Sequence, residues 1–254
     1  MKKCVVAILN QKGGVGKTTT CVNLAAALAI IGKRVLLIDL DPQGNATTGL
    51  GVQKGEGLRS SYGVLLGMVQ PKEVICECGI PNLYVLPSTI DLAAAEIELY
   101  NLEHRESQLR KGISALEYEY IFVDCPPGFG LINLNALNAA NKIIIPLQCE
   151  FYALEGLAQL FHTIAKVRNS INRDLEIAGI LLTMYDRRSK LSPVVEKDVK
   201  SHFKNLVFDT IIPRNVRVSE APSHGKPVIL YDLKCLGSVA YIALANEFLH
   251  KTGR

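Results

Sequence analysis

The sequence has no tryptophan, and aromatic residues fill only 6% of its 254 positions. Binding single-stranded nucleic acid by base stacking needs aromatic platforms, so that class is disfavoured. No run approaches the ~20 apolar residues that cross a bilayer. The apolar stretch after Met1-Lys2-Lys3 stops at Leu9 and meets glycines, where a signal peptide would carry a cleavage site. The seven cysteines are odd in number, thinly spread and without a CxxC pair, which disfavours both a disulfide framework and a zinc site. Cys76 and Cys78 are the one close pair, and chance spacing in a reducing compartment accounts for them. A dominant charge is missing too: 28 basic against 24 acidic residues leave +4, which permits an anionic partner without demanding one. Repeats, low-complexity tracts and linkers are also absent. The expectation is a cytoplasmic protein in which residues 1–254 form a single domain, long enough at 48% hydrophobic content to bury a full core.

What the sequence does have is alternation. Short β-branched runs are expected as strands at Cys4–Leu9, Val35–Asp39, Leu83–Leu86, Tyr120–Asp124, Lys142–Pro146, Ile177–Thr183 and Thr210–Ile212. Several are almost wholly apolar, the pattern of strands buried on both faces. Helical patterns fall between them at Thr18–Ile31, Glu103–Leu116, Leu131–Asn141, Leu154–Ile171, Pro193–Phe203 and Ser238–His250, with Gly32 placed for a left-handed C-cap. This predicts an α/β fold: a doubly wound, mostly parallel sheet with helices on both faces and ligands at the strands' carboxyl ends. Gly44–Gly67 is the least regular stretch and the expected mobile loop.

The first strand runs into Asn10-Gln-Lys-Gly-Gly-Val-Gly-Lys-Thr-Thr19 and then a helix. In that setting Gly13, Gly14 and Gly16, with Val15 between them, let successive N–H groups turn inward around a phosphate. Lys17 supplies a point charge for the β- and γ-phosphates, Thr18 a hydroxyl for magnesium, and the helix that follows, with Thr19 in its first turn, presents its positive end to the anion. ATP with Mg²⁺ is therefore the expected cofactor of a P-loop NTPase. Two acids end the second strand in Asp39-Leu-Asp41-Pro42; two residues apart on extended chain, they are expected to project to the same side, and spacing alone leaves open which orients a water and which supports the metal. Tyr120-Ile-Phe-Val-Asp124 is an apolar strand ending in an acid. An N-cap is the plain reading of one such aspartate; after a phosphate loop, a magnesium ligand is favoured.

The loop departs from the G-x-x-x-x-G-K-[ST] pattern, with Gln11 at the first glycine position and a second lysine, Lys12, opening it. This resembles the deviant Walker A motif of the ParA/MinD family of ATPases. Gly32-Lys-Arg-Val-Leu-Leu-Ile-Asp39, Asp41-Pro-Gln-Gly-Asn-Ala-Thr47, Asp124-Cys-Pro-Pro127, Asn133-Leu-Asn-Ala136, Ile212-Pro-Arg-Asn-Val-Arg217 and Ser219-Glu-Ala-Pro-Ser-His-Gly225 are similar to Soj-type partitioning ATPases over essentially the whole chain. Gly128 departs from the serine expected after the two prolines, which suggests a looser loop. No N-terminal stretch is long enough for a helix-turn-helix, as in the short type. The resemblance implies that Lys12 reaches a partner's phosphates in an ATP-dependent homodimer, that Asp41 serves hydrolysis, and that Pro213 and Asn215 neighbour the adenine. It also implies a slow ATPase stimulated by a ParB/Spo0J-like protein in chromosome or plasmid partitioning.

Residues 186–217 hold eight basic and four acidic residues, an excess equal to the net charge of the whole chain. Such a patch can hold double-stranded DNA by its phosphates, without reading sequence. Arg188 and Arg217 match positions that the resemblance assigns to DNA binding, which would place the ATP-bound form on the nucleoid. For Lys197, Lys200 and Lys204 a solvated helix face is an equal reading. The rival function is a MinD-like ATPase positioned on a membrane, which would need a basic amphipathic tail. The C-terminal stretch instead reads as a helix packed on the domain, and no stable membrane association is expected. A third reading, a metallocluster protein like the nitrogenase iron protein, would need paired cysteines at a dimer axis.

Overall fold

Alternate side chains of the central strands feed two separate cores, one on each face of a seven-stranded sheet. The computed structural model describes residues 3–54 and 59–253. The strands are β1 (Cys4–Ile8), β2 (Val35–Asp39), β3 (Cys76–Glu77), β4 (Leu83–Leu86), β5 (Tyr120–Asp124), β6 (Lys142–Gln148) and β7 (Glu176–Thr183). Their order is β3-β4-β2-β5-β1-β6-β7, parallel throughout except for the β3–β4 edge. Val5, Ala7, Leu36, Ile38, Ile121 and Val123 point to the face covered by helices Leu131–Ala139, Ala153–Ser170 and Leu191–Phe203. Val6, Ile8, Leu37, Tyr120 and Phe122 point to the face covered by helices Lys17–Ile30 and Leu236–Lys251. Period-2 alternation divides each strand between the layers, and burial on both faces is why these strands are apolar throughout. The doubly wound α/β expectation holds.

The strands expected at Val35–Asp39, Leu83–Leu86 and Tyr120–Asp124 have those bounds. Five of the six expected helices lie within two residues of their bounds, and Gly32 takes the left-handed φ of +90°. Thr210–Ile212, expected as a strand, is not one: the Asp209 and Thr210 N–H groups donate to the Glu247 carboxylate at 2.8 and 2.9 Å. Within the segment Ile212 still bonds to the Leu182 carbonyl at 2.9 Å and accepts from the Tyr185 N–H at 3.0 Å, and isolated bridges at Val207 and Pro213 flank it. The helix expected over Glu103–Leu116 also fails. His104 turns left-handed, a 3₁₀ turn covers Arg105–Ser107, and the α-helix is only Gln108–Ile113. The buried amides of Asn135 and Asn138 take the carbonyls of Arg105 and Glu106, which a continuing helix would have used. Unmarked in the sequence were the antiparallel β3, the helix Leu92–Glu98 and several helices of four or five residues, such as Pro71–Val74 and Val228–Tyr231.

The expected mobile loop Gly44–Gly67 is in part outside the described residues, at 55–58. Its described parts include short helices at Asn45–Gly49 and Ser61–Leu65. The first is anchored by Thr47 on Asp39, and Gly51 packs so closely on Gly225 that a Cβ on Gly225 would stand 2.8 Å from the Gly51 Cα.

A candidate nucleotide site at the carboxyl edge of the sheet

Three strand ends meet where the phosphate loop leaves β1. The register pairs Ile8 with Asp124 and Asp124 with Asp39, so the acids ending β5 and β2 lie side by side next to the loop. Gly14 and Gly16 adopt φ values of +74° and +86°, which an L side chain resists, and Gly16 caps the helix Lys17–Ile30. Neighbouring strands pin the loop: the Thr183 hydroxyl donates to the Val15 carbonyl at 2.8 Å, and the Asn10 amide to Pro146 at 2.7 Å. Gly128 bonds through its N–H to the Gln11 carbonyl at 3.0 Å. Its φ of +91° is one that serine would resist, and the Asn133 amide holds its carbonyl at 3.1 Å. The glycine suits a pinned turn; the expected looseness is absent.

Lys17 is 6% exposed and donates to the Lys12 carbonyl at 2.8 Å. Burial lowers its pKa, while Asp124, Cys125 and Asp41 pull it back up. Asp124 is fully buried, and neither carboxylate oxygen has a hydrogen-bond partner among the described residues. Burial first, and neighbouring Asp39 second, push its pKa well above the usual carboxylate range; the nearby Thr18 hydroxyl and Lys17 ammonium oppose this. An orphaned, buried carboxylate is costly unless a cation satisfies it. Asp124 with Thr18 is thus a donor set that suits a hard divalent ion.

The idea that Asp39 and Asp41 face the same way is corrected here. Asp39 ends β2 inside the protein and accepts from the Thr47 N–H at 2.8 Å, the Thr47 hydroxyl at 2.7 Å and the Asp41 N–H at 3.1 Å. Burial outweighs these bonds and raises its pKa to about 6. Its lone pairs are committed to the loop. Asp41 lies beyond the strand and lines a cavity of about 540 Å³.

Gly13, Gly14, Gly16, Lys17, Thr18 and Thr19 form one wall of that cavity, and Pro213 and Asn215 line it as well. Asn215 also caps the helix Val216–Glu220, its side chain accepting from the Arg217 N–H at 2.9 Å. Asp124 is buried beneath the cavity. Lys12 and Val15 line a separate small depression beside Glu150, and the exposed Lys12 ammonium is ion-paired with Glu150. Arg188 and Arg217 are outside the cavity on the surface. Arg188 makes two bonds to Asp186, at 3.0 and 2.9 Å, and Arg217 is paired with Glu220 and Asp232.

Sequence reasoning missed Gln148, Thr183, Met184 and Tyr241, which also line the cavity. They come from the ends of β6 and β7 and from the C-terminal helix, and no local pattern marks them. Arg214 lines it too; it was counted only as part of the basic patch, although it stands between Pro213 and Asn215.

The chain is 53% identical over 251 residues to the chromosome partitioning protein ParA of Caulobacter vibrioides, covering 97% of this chain and 94% of that one. It belongs to the ParA/Soj family. The sporulation initiation inhibitor protein Soj of Bacillus subtilis is 52% identical, over 96% of this chain and 97% of its own length. A family model described as an AAA domain matches residues 3–177. Among solved structures, one described as cobyrinic acid a,c-diamide synthase from Mycobacterium smegmatis, holding an ATP analogue and magnesium, superposes with a TM-score of 0.86 at 38% identity. It covers 99% of this chain and 97% of that one. The septum site-determining protein MinD of Pyrococcus horikoshii, complexed with Mg-ADP, is more distant at a TM-score of 0.78 and 26% identity, over 96% and 95% of the two chains. No helix of the described residues is long and apolar enough to cross a membrane.

Proposed function

We propose that this ParA/Soj-family chain is a partitioning ATPase that binds ATP with Mg²⁺ and closes as a dimer on DNA. The observation that carries the reading is the cavity itself. A phosphate loop with a buried lysine forms its wall, and the buried Asp124 carboxylate, without a hydrogen-bond partner among the described residues, neighbours Lys17 and Asp41 on that wall. Thr18 and Asp124 would hold the magnesium ion, which neutralises developing charge on the transferred phosphoryl group. Lys17 and the N–H groups of Gly13–Thr19 hold the phosphates. Asp41, the acid on the cavity wall, orients the attacking water. Lys12, ion-paired on its own subunit, is solvent-exposed and free to exchange that partner for phosphates of a second copy. Pro213 and Asn215 flank the base.

DNA binding would use Arg188 and Arg217, each held by a carboxylate it must exchange for a phosphate. A ParB/Spo0J-like protein would stimulate turnover, and the ATP-bound form would reside on the nucleoid. The test combines ATP hydrolysis with retention of nonspecific duplex DNA. Asp41→Ala should stop hydrolysis while leaving a magnesium- and ATP-dependent, DNA-bound dimer; a variant that stays monomeric with ATP refutes the assignment.

The second reading, a MinD-like membrane-positioned ATPase, draws on the C-terminal helix. It buries Tyr241, Leu244 and Phe248 but leaves Leu236, Val239 and Ile242 exposed. Lys251 at its end is occupied by the carbonyls of Asn205 and Val207, which argues for a docked helix. Strong ATP-dependent pelleting with anionic liposomes would reverse the preference.

A further inference from the structure

A carboxylate outside the nucleotide site holds the loop that follows Asp124. Glu96, on the short helix Leu92–Glu98, accepts from the Leu131 N–H at 2.8 Å through one oxygen and from the Ile132 N–H at 3.2 Å through the other. These are the first two N–H groups of helix Leu131–Ala139, which begins where the Cys125–Gly130 loop ends. The cap is supplied from 35 residues away in sequence, so it ties two elements together.

Gly130 makes room for it. Its backbone, at φ −106° and ψ −170°, is one that alanine adopts readily. A Cβ there, however, would lie 2.2 and 2.4 Å from the two Glu96 oxygens. The glycine is therefore needed for the carboxylate's approach.

The segment leading into the Glu96 helix touches the other acidic loop. The Ser88 hydroxyl donates to the Asp41 carbonyl at 2.7 Å, and the Ser88 N–H donates at 3.1 Å to the Thr47 hydroxyl that is bonded to Asp39. The Leu92 N–H then closes a turn on the Thr89 carbonyl at 3.1 Å. Residues 88–98 thus hold the Asp41 loop at one end and the loop after Asp124 at the other. The phosphate loop joins the same frame through the Gly128 N–H on Gln11.

We propose that Glu96 is a positioning residue: by clamping the start of helix Leu131–Ala139 it fixes the Cys125–Gly130 loop relative to Asp41 and the phosphate loop. This rests on the ATPase reading above. Glu96 itself does not line the nucleotide cavity and touches it through Pro127 of the loop it holds, so its main effect belongs on turnover and its effect on nucleotide affinity is small. Reacting groups misplaced by about 1 Å can lose two orders of magnitude in rate.

The test measures ATPase kcat and KM, affinity for a fluorescent ATP analogue, melting temperature, and backbone amide exchange of residues 125–133. Glu96→Ala should lower kcat by about tenfold or more with analogue affinity within about twofold, and should speed exchange at Leu131 and Ile132. Glu96→Gln, which keeps one acceptor oxygen and the same shape, should fall between. Gly130→Ala should reproduce the loss, and added to Glu96→Ala should cost little further, because the three atoms nearest its methyl group all belong to the Glu96 carboxylate. A lower melting temperature with kcat within about twofold in both Glu96 variants would reduce Glu96 to a structural cap and overturn the proposal. Additive losses from Gly130→Ala and Glu96→Ala would overturn it too. If the unaltered protein hydrolyses no ATP, the ATPase reading fails by itself. The clamp is then judged on amide exchange, where unchanged rates at Leu131 and Ile132 in Glu96→Ala refute it.

Discussion

At Lys17 two electrostatic effects oppose each other. Burial favours the neutral amine, while Asp124, Cys125 and Asp41 favour the cation. A nucleotide phosphate would add to the second side, so the ammonium is a binding group whose removal leaves buried acids without their nearest cation. Lys17→Ala should therefore lose nucleotide binding altogether, read by titration with a fluorescent ATP analogue; binding within tenfold of the parent would contradict the site. Asp39 gives a prediction in pH. Its folded pKa is about 6, above the ~3.9 of an unfolded aspartate. The native state therefore holds the extra proton between those values, and stability must fall as pH rises through that window. Asp124 is shifted the same way and adds to the trend. Urea unfolding of the nucleotide-free protein should give a lower midpoint at pH 7 than at pH 5, and Asp39→Asn should flatten the difference. These roles were only partly legible. Spacing marked Asp39 and Asp41 as a pair, but which one faces the cavity depended on Thr47 folding back onto Asp39.

Among the elements, helix Leu131–Ala139 is held at both ends by residues remote in sequence. Glu96 takes its first N–H groups, and the buried Asn172 amide donates to the carbonyls of Leu137 and Ala140, both at 2.7 Å. Asn172→Ala leaves those carbonyls unsatisfied in a dry interior and should cost about 2–3 kcal/mol, measured by urea unfolding. A loss below about 0.5 kcal/mol would mean that water replaces the amide. Helices with a continuous apolar stripe were readable, because period 3.6 survives wherever one face packs on the sheet. The failures share one cause: Glu103–Leu116 was broken by the Asn135 and Asn138 amides, and the start of Thr210–Ile212 lost its strand pairing to the Glu247 carboxylate. In each case side chains distant in sequence claimed the backbone groups on which the local pattern relied.

For the whole molecule, charge is balanced except in residues 186–217, and the two arginines singled out there are each tied to acids. Exposed pairs of this kind are weak and give way readily, so a phosphate anion can displace the carboxylates. Arg188→Ala with Arg217→Ala should weaken ATP-dependent DNA retention and shallow its log–log salt slope by about 0.9 for each phosphate contact removed. Asp186→Asn, which frees Arg188, should instead strengthen retention by a few-fold at low salt. Retention unchanged in the double variant at both low and moderate salt would remove these arginines from the interface.

The sequence by itself determined the phosphate loop, the apolar strands that end beside it and the layering of helices on a parallel sheet. Each is a local pattern: glycines and a lysine between strand and helix, or short unbroken apolar runs alternating with longer helical stretches. The tertiary structure decided what those patterns enclose. It committed Asp39 to Thr47, left the buried Asp124 carboxylate without a hydrogen-bond partner among the described residues, and brought Thr183 and Tyr241 to the cavity wall. It also set Glu96, on a helix the sequence did not mark, against the loop after Asp124. Hydrogen bonds between residues far apart in the chain have no period, so only the folded molecule reveals them.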